Sequence, residues 1–419
     1  MRIAVIAMDT RGGIQPYAAL ALSLSEAGHA VRLLAPEDFV ARLAPYGISV
    51  VAMSGAAEAT ARSAAGVAEM GRVQRARLMR EHTSTMMLEP AREILVACAD
   101  VDLITGGVGG MVAGLPIAEK LGIPFLESHL HPLGPATAAF PGVLLPHVPA
   151  WTGPAGTRIS HKLTAMTLRT PFAPATRAVR TKVLGLPARP DPRRDPRHGM
   201  PSVYGYSRHV VPAAPEWGPE RHVTGYWTLP APAGWQPPAA LRSFLDAGDP
   251  PVCIGFGSMA GTDPDGLTDL VVAAVRHAGV RAVLLSGWGG LREATAETDD
   301  VIVLPEAPHD WLLPRCAAVV HHGGAGTTGA GFTAGIPQIV VPFGADQPFW
   351  GRRVAALGVG PAPIPRRRLS TAALAVALRE ATGDAAMRRR AADLGARVRA
   401  EPGPREAAAV IGDAAVRLG

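Results

Sequence analysis

The sequence predicts an α/β protein built from two doubly wound domains, and three observations lead to that class. At 419 residues the chain is long enough for two domains of about 200 residues each. Short apolar runs alternate with longer helical stretches, which is typical of parallel sheets whose strands are connected by helices. Both halves of the chain begin with the same order of strand, turn and helix, so each half is expected to form its own sheet.

We place the first domain at residues 1–227, a linker at residues 228–250 and the second domain at residues 251–419. The linker is dense in proline, which predicts a stiff connection between the domains. Helices are expected to fill residues 370–417. Whether the last of them crosses back to pack on the first domain is left open.

The first domain opens with a strand at Ile3–Ala7, a loop at Met8–Pro16, a helix at Tyr17–Ala27 and a strand at Val31–Ala35. Its loop follows a strand, where an open parallel sheet binds ligands. Later strands are expected at Val50–Met53, Leu103–Thr105, Ile123–Glu127 and Val203–Val211, and helices at Met111–Leu121 and Gly156–Leu184.

Apolar runs predict the strands of the second domain. They are Val252–Phe256, Ala282–Leu285, Val301–Leu304, Ala317–Val320 and Ile339–Pro342. Each run is followed within three residues by a glycine or a proline, which is typical of strands of a doubly wound sheet before a turn.

A glycine-rich turn follows the strand at Ala317–Val320. Gly323, Gly324 and Gly326 let the backbone approach a ligand and adopt angles that side chains forbid. The helix that follows directs free N–H groups and a partial positive charge at the turn. This arrangement suits a phosphate group.

Side-chain donors accompany that turn. His322 carries a donor that can become cationic, and Thr327 and Thr328 add hydroxyl groups. Asp346 and Gln347 follow the next strand, and a carboxylate beside an amide suits the hydroxyls of a sugar. The competing interpretation is an ordinary glycine-rich turn that contains a buried histidine.

The segments HHGGAGTT and GIPQIVVPFGADQPFWGRRVAALGVGP resemble the donor-binding motif of family 1 nucleotide-sugar glycosyltransferases, in the branch of bacterial antibiotic and sterol enzymes. The resemblance covers nearly the whole chain. It implies the GT-B fold, in which two Rossmann-like domains face each other across a cleft. It also implies that His322 and the small residues after it bind a diphosphate, and that Asp346 and Gln347 hold the sugar.

Further donor-binding residues are expected in other loops. Arg11 suits a phosphate partner, although an arginine on a solvated loop is an equal alternative. Backbone groups near Ala307 read the base in the family, and Trp288 either packs beneath that base or is a core residue. The complete set outside the central motif is Thr10, Arg11, Gly12, Ser258, Trp288 and Ala307.

The first loop departs from the family at the position of the catalytic base. Relatives carry an acidic residue in a pattern like TRGDVQP, whereas this chain has Gly13, which accepts no proton. The candidates for the missing base are Asp9, His129 and His131, and a reaction without a protein base is the remaining alternative.

An irregular stretch rich in proline and alanine follows residue 128 and includes Phe140. Such loops line the acceptor pocket in two-domain transferases, so we assign Phe140 to acceptor binding. We assign Gly13, in the first loop, to acceptor binding as well. The apolar lining favours a hydrophobic natural product as the acceptor. A plain connector is the alternative interpretation.

The implied reaction is an inverting sugar transfer that needs no metal and no cofactor beyond the nucleotide sugar, because backbone dipoles and His322 can stabilise the leaving diphosphate. Ala330 stands where many UDP-sugar enzymes have a glutamate for the ribose, which favours a TDP donor over UDP. Two alternatives stay open: a donor-binding partner protein that has lost catalysis, suggested by Gly13, and another GT-B enzyme such as an epimerase.

Composition limits the cellular compartment and the classes of binding partner that the sequence predicts. The three cysteines have no paired spacing, which predicts a reducing, cytoplasmic setting without a metal cluster. No apolar run is long enough to span a bilayer, and the N-terminus resembles a strand rather than a signal peptide. The net charge of +6 comes mostly from arginine and does not indicate nucleic acid. Arg366–Arg368 and Arg388–Arg390 leave peripheral contact with anionic lipid open, although solvated faces are favoured.

Overall fold

The structure is a computed structural model that describes residues 1–8, 11–55, 85–257, 263–287, 291 and 299–416. The chain divides into two compact units. The first contains residues 1–208, 212–227 and 402–419, and the second contains residues 209–211 and 228–401. The stretch interpreted as a linker, residues 228–250, therefore lies within the second unit.

The described part of the first unit contains one seven-stranded parallel sheet in the order β3-β2-β1-β4-β5-β6-β7. Its strands are β1 (Arg2–Ile6), β2 (Ala30–Pro36), β3 (Val50–Met53), β4 (Leu103–Gly106), β5 (Phe125–His129), β6 (Ser202–Tyr204) and β7 (Arg221–Val223). Its first helices are α1 (Arg11–Glu26), α2 (Val40–Leu43), α3 (Leu88–Ala97), α4 (Val108–Leu121) and α5 (Gly153–Ala178). β1 pairs with β2 on one side and β4 on the other, so the strand order reverses between β1 and β4.

The described part of the second unit contains a five-stranded parallel sheet in the order β10-β9-β8-β11-β12. Its strands are β8 (Val252–Gly255), β9 (Ala282–Leu285), β10 (Val301–Leu304), β11 (Ala318–His321) and β12 (Gln338–Val340). Its helices are α6 (Ala239–Asp246), α7 (Pro264–Ala278), α8 (His309–Leu312), α9 (Ala325–Ala334), α10 (Gln347–Ala356), α11 (Thr371–Gly383) and α12 (Ala385–Arg399). The strands are apolar and buried because helices cover both faces of a parallel sheet.

Single helical turns complete the secondary structure of the described residues. The short turns are Glu37–Phe39, Ala44–Tyr46, Ala150–Thr152, Pro192–Arg194, Leu313–Arg315 and Arg366–Arg368, and a π-helical turn at Val179–Val183 extends α5.

The last helix, α13 (Pro404–Val416), belongs to the first unit, where it packs against α1. The N–H of Gly403 donates to the carbonyl of Thr224 at 2.9 Å. Glu406 forms an ion pair with Arg208 at 3.4 Å. These contacts attach the C-terminal segment to the sheet that begins the chain.

Helix α1 corrects the prediction of a loop at Met8–Pro16. The helix begins at Arg11 rather than Tyr17, so Gly12 and Gly13 lie in its first turns. Pro16 lacks the N–H that would bond the carbonyl of Gly12, and Gly12 is exposed, so water can satisfy that carbonyl. The proline is therefore compatible with an early helix start.

The strand predicted at Val203–Val211 is also wrong, because β6 ends at Tyr204. Gly205 lies against the ring of Trp227, where an added β-carbon would come within 2.7 Å of the indole. Val210 and Val211 are buried without being in a strand. The last strand, β7, was not predicted because its three residues, Arg221–Val223, are too short for a recognisable apolar pattern.

Among the helices of the described ranges, whose bounds are given above, none is long and apolar enough to cross a membrane.

The first unit depends on close backbone contact where β1 ends and α4 begins. A β-carbon added at Gly109 would come closer to the carbonyl oxygen of Met8 than real β-carbons do, and one added at Gly110 would lie 2.8 Å from the carbonyl of Ile6. Glycine lets the start of α4 lie directly on the end of β1.

We expect Gly109→Ala to lower the free energy of unfolding by about 1–3 kcal/mol, the cost of overpacking a rigid contact. Helix propensity alone would favour alanine by about 1 kcal/mol, so a destabilised variant shows that the backbone contact dominates. Urea denaturation measures the effect. The matched control is Gly383→Ala, because an added β-carbon there meets nothing within 4 Å. Equal stability of the two variants would contradict the close contact.

Candidate functional site

The candidate site lies at the centre of the second sheet, where the strand order reverses. β8 and β11 are neighbours, and the chain continues from them toward opposite edges of the sheet. In open α/β sheets, ligands bind outside the carboxyl ends of the two strands at such a switch point. His322 follows β11 and Gly257 follows β8 closely, so both lie at this position.

The N-terminus of α9 supplies backbone donors to the site. Its N-cap residue, Gly324, has no side chain to cap the helix, and the first turn contains no acidic residue. Gly326 and Thr327 lie in that first turn, where N–H groups have no partner within the helix. The hydroxyl of Thr328 donates to the carbonyl of Gly324 at 2.8 Å, so that hydroxyl is used inside the helix. The uncapped end favours an anion.

The ring of His322 lies between two glycines. A β-carbon on Gly324 would come within 2.5 Å of Nε2, and one on Gly257 within 3.2 Å of Cε1. Nδ1 is buried, and within the described chain it has no hydrogen-bond partner. Burial lowers the pKa of His322 to about 4, although the carboxylate of Asp346 acts in the opposite direction. The ring is therefore neutral near pH 7 and adjoins the bare helix end.

His321, the residue before, is a buried part of the scaffold. Its Nδ1 accepts a hydrogen bond from the N–H of Gly323 at 3.0 Å. The neutral ring therefore carries its proton on Nε2, which it donates to Oε1 of Gln338 at 2.9 Å. Burial is the main cause that lowers the pKa of His321 to about 3, and His322 adds to it. This side chain holds the turn at Gly323, which has a φ of +91°.

The acidic loop after β12 brings Asp346 and Gln347 to the start of α10. Oε1 of Gln347 accepts from the N–H groups of Phe343 at 2.7 Å and Gly344 at 3.1 Å, so this oxygen shapes the loop. Oδ2 of Asp346 accepts from the indole N–H of Trp350 at 2.9 Å. These bonds orient both side chains.

Ala345, between Gly344 and Asp346, is the one non-glycine residue in the described chain with a positive φ, at +53°. Alanine in this region costs free energy, and such positions concentrate at functional sites.

Glycines also bring a third strand end to this position. A β-carbon on Gly287, just after β9, would lie 2.9 Å from the carbonyl of Gly257. The N–H of Gly287 donates to the carbonyl of Pro305 at 3.1 Å, at the start of the loop that contains the buried Ala307. The predicted residues Ser258 and Trp288 lie outside the described residues.

In the first unit, Asp9 and Thr10 lie outside the described residues, as does the side chain of Arg11. Gly12 is exposed and Gly13 is buried in the first turns of α1. This helix start follows β1, at the switch point between β1 and β4.

His129 ends β5 and lies in a partly buried cluster with Glu127 and Arg197. Its Nε2 lies 3.3 Å from Oε2 of Glu127, and its Nδ1 is buried with no hydrogen-bond partner among the described residues. Arg197 donates to Oε1 of Glu127 at 2.8 Å. Burial alone would raise the pKa of Glu127, but the bonds from His129 and Arg197 outweigh it and lower the pKa to about 2.

Glu127 and Arg197 were not among the predicted site residues. The spacing of Glu127 and His129 was a usable signal, because residues two apart in a strand point to the same face. Arg197 gave no such signal, because it reaches Glu127 only through the path of the chain after α5.

The remaining predicted acceptor-side residues lie near this cluster in sequence. The carbonyl of His131 accepts from the N–H of Leu133 at 2.7 Å, and the side chain is partly exposed. Phe140 is buried, with its ring 5.4 Å from that of His161 and 6.0 Å from that of Trp217. Its contacts are those of a core residue.

The described residues contain no group of three or more histidine, cysteine, aspartate or glutamate side chains arranged to hold a metal ion.

Comparison with known proteins shows which family the chain is similar to. Residues 291–413 match the domain family described as Erythromycin biosynthesis protein CIII-like, C-terminal domain. A sterol 3-beta-glucosyltransferase of Arabidopsis thaliana is 35% identical over 378 residues, which are 87% of this chain and 58% of that relative. The chain thus spans little more than half of the plant relative's length.

Two further comparisons cover both partners almost fully. The O-mycaminosyltylonolide 6-deoxyallosyltransferase of Streptomyces fradiae is 34% identical over 435 residues, which are 98% of this chain and 97% of that relative. The crystal structure of the glycotransferase of kitacinnamycin matches with a TM-score of 0.68 at 19% identity, covering 99% of this chain and 98% of that one, and shows the fold. The two parallel sheets, the motif after β11 and the relative that matches over almost its full length all indicate the same family. The chain therefore belongs to the family 1 glycosyltransferases and has their GT-B fold.

Proposed function

We propose that the chain transfers a sugar from a nucleoside diphosphate sugar to an apolar small-molecule acceptor. The observation that carries the proposal is the uncapped N-terminus of α9 with the neutral ring of His322 beside it, at the switch point between β8 and β11. The names of the relatives support it, because one is a glucosyltransferase for sterols and one is a 6-deoxyallosyltransferase for a tylonolide.

The donor's diphosphate binds at the start of α9 in this proposal. The acceptor oxygen attacks the anomeric carbon as the bond from that carbon to the diphosphate breaks, so the configuration inverts. The negative charge that develops on the leaving group is stabilised by the N–H groups of Gly326 and Thr327 and by a proton on His322. A metal ion is not needed for that role.

The sugar lies beside the loop after β12. The carboxylate of Asp346 accepts hydrogen bonds from sugar hydroxyls, and its orientation is set by Trp350. The oxygen of the Gln347 amide is engaged in the loop, so its nitrogen is the group offered to the sugar. Ala330, in α9, provides no carboxylate for a ribose, which favours TDP over UDP as the nucleotide.

A second candidate function is a donor-binding partner protein without catalysis. Gly13 motivates it, since the family's base position has no side chain in this chain. The two functions differ in whether the bound donor is ever consumed.

The experiment that tests the proposal is incubation of the chain with UDP- and TDP-hexoses, with and without sterol and macrolide acceptors and with a metal chelator present. Release of nucleotide diphosphate that depends on the acceptor supports transfer, and inverted configuration in the product supports direct displacement. Donor binding without release, for every acceptor, would support the partner protein instead. Loss of release with the chelator would contradict metal independence.

Donor binding should be coupled to proton uptake by His322. The pKa of the free ring is lowered to about 4 by burial, and a bound diphosphate raises it because negative charge favours the imidazolium. The bound state then holds more protons, so affinity rises as the pH falls through the bound-state pKa. Calorimetry of UDP and TDP at pH about 5.5, in buffers of different ionisation enthalpy, measures the uptake.

The variant His322→Gln keeps a neutral donor and should remove the uptake, leaving only protons that the nucleotide itself takes. His277→Gln is the matched control, because His277 is exposed at the end of α7. Equal uptake in wild type and His322→Gln would contradict protonation of His322 on donor binding.

Asp346→Ala should lower sugar transfer by roughly ten- to a hundredfold while binding of the bare nucleotide diphosphate stays nearly intact, the effect of one lost charged hydrogen bond. Turnover and calorimetry on the same samples separate these effects. Trp350→Phe is the control, since it removes the indole donor and leaves the carboxylate. If Trp350→Phe reproduces the whole loss, Asp346 acts by anchoring α10 rather than by holding the sugar.

Asp9 is the proposed base, since it follows β1 in sequence and Gly13 cannot serve. Asp9→Asn should lower turnover by roughly 10²–10⁴-fold with donor binding preserved, the usual contribution of a general base. Gly13→Asp, tested in parallel, should broaden the acceptors to plain alcohols.

His129 is the competing base, and Glu127 is the carboxylate that orients its ring. Wild-type turnover in Asp9→Asn together with a large loss in His129→Gln would move the assignment to His129. A large loss in Glu127→Gln would then mark Glu127 as its positioning residue.

A further inference from the structure

Helix α5 of the first unit exposes a row of large apolar side chains. Trp151, in the turn that leads into the helix, is 87% exposed. Ile159 is 52% exposed, Leu163 41% and Met166 59%. The spacing of four and then three residues places the last three on one face of the helix.

The opposite face of α5 is the one that packs on the protein, and it carries small and polar residues. Ser160, His161 and Thr164 are buried. The hydroxyl of Ser160 accepts from the N–H of Gly142 at 2.8 Å, and Nε2 of His161 contacts the carbonyl of Phe140 at 2.8 Å. A surface helix ordinarily turns its apolar face to the core. In this helix that polarity is reversed, so packing among the described residues does not account for the apolar row.

The stretch of sequence that contains this row carries charged residues of one sign only. Residues 128–190 contain no aspartate or glutamate. The same stretch contains seven basic residues: Arg158, Lys162, Arg169, Arg177, Arg180, Lys182 and Arg189. Lys162 and Arg169 are exposed and lie to one side of the apolar row at helical spacing. Arg158 is paired with Glu216 at 3.0 Å, and Arg180 with Glu119 at 2.5 Å, so both are committed to the fold.

We propose that α5 and Trp151 form a docking surface for an anionic lipid bilayer. An interfacial helix lies in the plane of the membrane with its apolar face among the acyl chains and basic residues near the headgroups. Tryptophan prefers this depth because its ring is apolar and its N–H is polar. Lys162 and Arg169 meet the negative surface potential of anionic lipids, and a stretch without carboxylates avoids repulsion. The surface is independent of the transfer reaction and can be tested without it.

The test measures binding of the full chain to phosphatidylcholine vesicles prepared with and without phosphatidylglycerol, at several salt concentrations. We expect binding to the anionic vesicles that weakens as salt increases. The double variant Ile159→Ser/Met166→Ser should weaken binding by roughly tenfold or more, because two apolar side chains no longer enter the bilayer. Lys162→Glu and Arg169→Glu should each weaken it by roughly fivefold or more.

Two variants serve as matched controls. Val376→Ser replaces an apolar residue that is 55% exposed on α11 of the second unit, and Arg276→Glu reverses an exposed charge on α7. Both should bind vesicles as the wild type does. Each variant is compared with wild type by thermal denaturation, so that a loss of fold is recognised.

Three results would overturn the proposal. The first is no binding of the wild type to anionic vesicles at low salt. The second is unchanged binding in the variants of α5. The third is a wild-type dimer in analytical ultracentrifugation that the double variant dissociates, because the apolar row would then join two copies of the chain.

Discussion

The second unit depends on close packing at the carboxyl ends of β8, β9 and β11, where the backbone of Gly287 meets that of Gly257 and the ring of His322 lies between Gly257 and Gly324. A β-carbon would clash at Gly287 and Gly324 and would be tightly packed at Gly257. Because these ends meet so closely, the ring of His322 is enclosed while the start of α9 stays uncapped. Burial then keeps the ring neutral, and the same burial strengthens any interaction with a charge that enters. The chemistry proposed for the donor follows from this packing.

The paired histidines show how one local sequence divides between structure and function. His321 points into the unit and fixes the turn at Gly323 through its ring nitrogen. His322 points to the bare helix end, with Nδ1 buried and Nε2 beside Gly324. Adjacent residues at the end of a strand point to opposite faces, so one imidazole can support the turn while the next serves the ligand.

Glycine also permits close backbone contact in the first unit, although the chemistry proposed there is different. Gly109 brings the start of α4 against the end of β1, as Gly287 brings the end of β9 against that of β8 in the second unit. The position of the family's base has no side chain there, and the partly buried Glu127 and the buried His129 lie on β5, two strands from β1 in the sheet. The unit also carries α5, whose exposed face includes a row of apolar side chains. The specialised features of this chain are thus concentrated in its first unit.

Local sequence by itself determined most of the fold and predicted the central motif of the candidate site. Apolar runs and glycine turns located most strands, since strand formation and turn chemistry act over a few residues. The sequence misplaced the start of α1 and extended β6 to Val211, because proline tolerance and burial depend on neighbours far along the chain. Only the tertiary structure decided that α13 belongs to the first unit, that Arg197 pairs with Glu127, and that His322 is neutral. Those properties arise from long-range approach and desolvation, which local patterns do not encode.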